Sequence, residues 1–127
     1  MMRDRVTLKD TTGCTKGYVG IYDTDGYSHA TQTLADTVPC KVVVFAETVV
    51  APISGHATAL VTKEGEVVVA KVNDTVFYEG EMVGLSTEAG KVTTLAVASI
   101  AKYGIGYTVA PSDSGDTTVK VRIGSAH

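Results

Sequence analysis

EGEMVGLSTEAGKVTTLAVASIAKYGIGYTVAPSDSGDTTVKVRI, residues Glu79 to Ile123, decides how the rest of the chain is read. Met82-Val83-Gly84-Leu85 forms one short strand, and Glu88-Ala89-Gly90 turns the chain back into Val92-Thr93-Thr94-Leu95. A bridge of small residues leads to a strand beginning Gly104-Ile105-Gly106-Tyr107. After a polar turn, Thr118 to Ile123 alternates polar and apolar side chains, the period of a half-buried strand. No residue in this stretch carries evident chemistry. It is architecture.

Working outward, the same vocabulary recurs. Tyr18 to Tyr22 is a strand stopped by Asp23-Thr24-Asp25-Gly26, and Tyr27 to Thr31 resumes it. The short stretch from Ala30 to Thr37 is the best helical candidate, ended by Pro39. Lys41 to Phe45 is an apolar run of buried-strand length. His56–Thr62 and Glu66–Val72 form two strands around Lys63-Glu64-Gly65, which predicts a hairpin with a three-residue loop. Residues 1–15 form an N-terminal arm or edge strand, and 16–127 a single domain.

The stretch also has an internal echo. Val19-Gly20-Ile21 and Gly26 recur as Val83-Gly84-Leu85 and Gly90 at one offset (83 − 19 = 90 − 26 = 64), with Gly17 and Gly80 one position out. Val50-Ala51-Pro52 is likewise echoed by Val109-Ala110-Pro111. The order of the matches predicts a duplicated β unit, with halves at about residues 16–62 and 79–123, in a closed or nearly closed barrel. The expected fold class is therefore all-β, with at most one short helix at about residues 30–37.

Composition supports strands and excludes several functions. The chain of 127 residues is long enough for one real core, yet it has no Trp and only 6% aromatic residues. β-Branched Val and Thr dominate, and 13 Gly supply positive-φ turns. The net charge of −3, with Lys and Arg scattered, argues against nucleic acid. No apolar run approaches the roughly 18 residues of a membrane span, and the N-terminus has no signal-type segment, so synthesis in a cytoplasm is expected. Cys14 and Cys40 are read as reduced thiols, with a disulfide between them left open.

Each candidate site reduces to structure. From Asp23, the fifth and twelfth positions that a calcium loop needs hold Tyr27 and Leu34. His29, His56 and His127 lack partners at metal spacing, and neither a nucleophile elbow nor a phosphate loop is complete. Lys71 lies between Ala70 and Val72, which is not the setting of a biotinyl or lipoyl lysine. The six tyrosines are read as packing or contact residues rather than a stacking face. No catalytic residue, cofactor or metal is expected.

The motifs of the opening stretch do resemble a family. Gly80, Val83, Leu85-Ser86, Gly90-Lys91-Val92-Thr93, Ile105-Gly106, Val109-Ala110 and Val119-Lys120-Val121-Arg122-Ile123 resemble the decoration (cement) proteins of tailed-phage capsids. That resemblance implies a β-barrel or β-tulip that assembles, commonly as a homotrimer, on the outer surface of a virion. Its partner would be the major capsid protein, whose subunits it would bridge. The N-terminal arm would supply the contact, through Arg3, Arg5, Val6, Leu8 and Lys9, and deleting Met1–Thr12 would leave the barrel folded. The alternatives are a binding module for carbohydrate or peptide, and another phage head or tail component such as a fibre base.

Overall fold

The computed structural model describes residues 2–37 and 42–124; Cys40 and His127 lie outside them. The fold is all-β. Among the described residues nine strands run in the order β1 (Met2–Thr7), β2 (Val19–Asp23), β3 (Gly26–His29), β4 (Val43–Phe45), β5 (Thr58–Ala70), β6 (Met82–Leu85), β7 (Val92–Thr94), β8 (Gly104–Thr108) and β9 (Thr118–Ile123). Helix α1 (Gln32–Thr37) follows β3, with the Thr31 hydroxyl capping its first turn by accepting the Leu34 N–H at 3.1 Å. The small-residue bridge is a 3-10 turn, Val97–Ser99, and one helical turn, α2 (Ile100–Tyr103). No helix among the described residues is long and apolar enough to cross a membrane.

The expected hairpin at Lys63-Glu64-Gly65 is not there. β5 runs through these residues as one strand of 13 residues. Its first part pairs with β1 and β4, whereas Gly65 to Ala70 pair with β9. Gly65 has φ +115, a conformation open to glycine, and the β1 register slips opposite Glu64. The residues that spell a turn therefore mark a change of partner along a continuous strand.

All nine strands join one sheet, in the order β3-β2-β4-β5-β9-β8-β6-β7, with β1 paired to β5. The sheet curls at both ends. A parallel bridge joins Leu8 to Tyr27 and so brings β3 back to the end of β1; another joins Lys71 to Val92 and brings β7 back to the end of β5.

The backbone pairing repeats, with an offset one residue short of the sequence echo. Gly17 N–H donates to Phe45 O and Gly80 N–H to Thr108 O; Phe45 N–H donates to Tyr18 O and Thr108 N–H to Glu81 O. The bridge Cys14↔Val49 likewise matches Phe77↔Ser112, and each correspondence is 63 residues apart (80 − 17 = 108 − 45 = 77 − 14 = 63). Gly17 and Gly80 are thus the glycines in equivalent places, while Gly20 corresponds to Val83. The repeat also reaches upstream of Lys16: Arg3↔Thr62 corresponds to Glu66↔Arg122.

Two apolar clusters fill the fold. Leu8, Cys14, Val43, Phe45, Ala59 and Val61 make the first, within the first half. The second joins Val19, Ile21 and Val44 of the first half to strands of the second, including Val69, Val83, Leu85 and Val121. β4 is therefore buried on both faces, with Val43 and Phe45 in one cluster and Val44 in the other. That explains its unbroken apolar sequence. Polar ties cross the same junction: Gln32 Nε2 donates to Leu85 O at 2.9 Å, and Asp36 accepts from Tyr103 at 2.7 Å and pairs with Lys102 at 2.9 Å.

Candidate interaction surface

β1 and the residues after it hold all five side chains expected to meet a partner, and they divide sharply. Leu8 is fully buried in the first cluster, and Val6 packs against it. Alternation along β1 places apolar side chains under the sheet, so neither offers a contact surface. Arg5 and Lys9 do reach solvent, but each is engaged. Arg5 Nη1 lies 3.3 Å from both Glu47 Oε2 and Thr58 Oγ1, and Lys9 Nζ lies 3.0 Å from Asp23 Oδ2. Arg3 pairs through its backbone with Thr62.

Glu47 organises this edge. Its Oε2 also accepts the Leu60 N–H at 2.7 Å, so one carboxylate ties the chain after β4 to both β5 and β1. Hydrogen bonding from Lys9 holds the Asp23 carboxyl below its usual range, and Lys63 does the same for Asp4. The Arg5 N–H is taken by Asp4 Oδ1 at 2.8 Å. Asp4 and Arg5, the described charged side chains of β1, thus sit in ion pairs, with Lys63 and Glu47.

The groups weighed for chemistry are embedded in structure. Lys71 is fully buried, and its Nζ donates to Thr75 O at 2.5 Å and to Asp113 O. A carrier lysine must swing in solvent; this one pins two loops together. Cys14 is a free buried thiol donating to Glu47 O at 3.3 Å, and burial pushes its pKa up, away from the reactive thiolate. His29 lies against Tyr18 and Phe45 at tilted angles of 37° and 56°, with centroids at 4.9 and 5.7 Å, and its Nε2 accepts the Thr15 N–H at 3.2 Å. Burial lowers its pKa, which keeps the acceptor neutral. No group of three or more His, Cys, Asp or Glu among the described residues is placed to hold a metal.

The tyrosines do not share one platform. Tyr18 and Tyr27 pack against the first cluster, Tyr103 is bonded to Asp36, and Tyr78 and Tyr107 are exposed on the second half. Tyr22 meets Tyr27 edge to face at 5.7 Å. An extended sugar-stacking face would need several parallel exposed rings.

A different surface escaped the sequence reading. On the second half, Glu66, Arg122, Tyr107 and Met82 are successive cross-strand partners over β5, β9, β8 and β6. Directly opposed residues share a face. Glu66 lies 2.7 Å from Arg122 and 3.9 Å from Lys120. Alternation in Val119-Lys120-Val121-Arg122 signalled an outward face, but sequence could not show that Tyr107 and Met82 extend it.

No family model matches the chain, and no curated protein matches it. A solved structure does: the head fiber gp8.5 N base of bacteriophage phi29, with a TM-score of 0.66. The likeness is one of fold. The superposition covers 97% of this chain and 95% of that one, at 14% sequence identity. The shared architecture therefore spans both halves and the junction between them.

Proposed function

We propose that this chain is a structural, non-catalytic protein of a phage virion, carried on the outer surface of the head. In this reading it binds the major capsid protein, bridges neighbouring subunits and assembles as a homotrimer. Synthesis takes place in the host cytoplasm. The observation that carries the reading is the fold likeness to a phage head-fibre base over nearly the whole of both chains. The motif resemblance to capsid decoration proteins supports it independently. So does the construction, in which a shared strand and a joint core give a stiff body suited to repeated weak contacts on a lattice.

The same likeness specifically favours a second reading, the base of a head fibre. Both roles require attachment to the capsid, and they differ in what attachment does. Purified protein is added to capsids of its own phage lacking it, and bound protein is measured by co-sedimentation. Binding with a rise in the capsid's disruption temperature supports bridging, and saturable binding with no rise supports a fibre base. Absence of binding overturns both.

A further inference from the structure

We infer that the cleft between the two halves, walled by Lys16, Tyr18, Lys71, Asn73, Lys91 and Thr117, binds the carboxylates of an acidic peptide segment on a partner protein. The inference goes beyond the proposed function and does not rest on it.

The cleft is a product of the fold. It lies where the end of β5 meets the residues before β2 and the turn before β7, so both halves supply walls. Backbone bonds fix those walls. Ala70 N–H donates to Gly17 O at 2.9 Å, Lys71 N–H to Thr117 O at 3.1 Å and Val72 N–H to Val92 O at 3.0 Å. The space they enclose is about 460 Å³, within the range of ligand sites. A site already held in shape loses little entropy when a ligand enters.

Its charge has one sign. Among the described residues that line it, three are lysines and none is an aspartate or glutamate. Of the three, Lys91 alone forms an ion pair with a described residue, Glu88, at 3.7 Å. Lys16 is exposed at the rim. Lys71 is fully buried, and the Thr75 and Asp113 carbonyls bond its ammonium without cancelling its charge. Buried charges are ordinarily paired, and the field of an unbalanced one is weakly screened. In a chain of net charge −3, the described residues leave this cleft positive.

The remaining walls favour a peptide as the source of the carboxylates. Asn73, Thr117 and Thr118 add neutral hydrogen-bonding groups suited to main-chain amides. A sugar acid would call for an open aromatic face, and the Tyr18 ring is already packed. It lies against His29 at 4.9 Å and so close to Gly90 that a Cβ there would come within 2.4 Å of it. No arginine among the described lining residues offers a phosphate its two-point grip.

Fluorescence anisotropy on the full chain without capsid tests the inference, with labelled hexaglutamate and its glutamine counterpart as probes. Hexaglutamate is expected to bind saturably and to weaken with added salt, and the glutamine peptide to bind at least about tenfold less tightly. Lys16→Gln with Lys91→Gln is expected to raise the hexaglutamate Kd at least about tenfold. Lys63→Gln with Lys120→Gln removes the same charge outside the cleft and is expected to leave the Kd unchanged. Equal urea midpoints show that the variants are folded. Should the Lys91 change unfold the chain, Lys16→Gln alone, at an exposed side chain, carries the test. Absence of binding, equal affinity for the glutamine peptide, or a Kd that moves equally in the two double variants overturns the inference. So does tighter binding of oligogalacturonate than of hexaglutamate, which would assign the cleft to an acidic sugar. None of these results bears on capsid attachment, so the proposed function stands or falls by co-sedimentation.

Discussion

Lys71 stands in the second half where Leu8 stands in the first, 63 residues earlier (71 − 8 = 63). Both are fully buried, and both make the parallel bridge that closes their half, to Val92 and Tyr27 respectively. One place is filled by hydrocarbon and the other by an ammonium held on backbone carbonyls. Leu8→Ala is expected to cost about 2–5 kcal/mol, the range for truncating a buried leucine. Lys71→Met keeps the volume but leaves the Thr75 and Asp113 carbonyls without their donor, at about 1–3 kcal/mol for an unsatisfied group. Urea denaturation compares the two, and a Lys71→Met midpoint equal to wild type would deny the ammonium a structural role.

Gly20 is fixed by its neighbour. A Cβ on Gly20 would come within 2.5 Å of the Phe45 ring. Gly20→Ala is expected to destabilise by about 1–3 kcal/mol through overpacking. In a Phe45→Leu background the same substitution should cost clearly less, because the smaller side chain vacates that space. A double-mutant cycle on thermal unfolding reads the coupling.

Removal of Met1–Thr12 is expected to abolish cooperative folding. The deletion takes away the six-residue strand β1, which pairs with β5, and the buried Leu8, which belongs to the first cluster. Circular dichroism and a thermal scan check this. Charge substitutions at Arg5 and Lys9 are the appropriate probes of β1 in binding assays, since both side chains lie at the surface.

His29 gives stability a pH dependence of known sign. Burial lowers its folded pKa below the reference value of 6.5, so the unfolded chain takes up a proton first as pH falls. Its contribution is complete above 6.5 and is lost as pH drops from there through the folded pKa. The Thr15 N–H bond to Nε2 is lost over the same range. Urea midpoints at pH 7.5 and 5 should therefore differ in wild type, and the difference should shrink in His29→Gln.

Strand content was legible because alternation and β-branching report directly on a pleated, half-buried backbone. Tyr18 to Tyr22, Met82 to Leu85 and Thr118 to Ile123 all lie on strands close to their expected bounds. Partner choice was not legible. Lys63-Glu64-Gly65 has the composition of a turn, and only the β1, β4 and β9 ladders on either side keep it extended. The repeat was visible through the wrong residues: the Val-Gly echo is out of register by one, and equivalence resides in hydrogen bonds that leave little trace in side chains. Alternation at Val6 and Leu8 already put both on one face, and the structure buries that face in the first cluster rather than offering it to a partner.

The continuous course of β5 has a mechanical consequence. Tension applied along it meets the β1 ladder at Thr58 to Glu64 and the β9 ladder at Gly65 to Ala70 in shear. Hydrogen bonds loaded that way must yield together, whereas a hairpin at Gly65 would have let them unzip one at a time. A body threaded by such a strand resists being pulled apart lengthwise far better than its modest size implies.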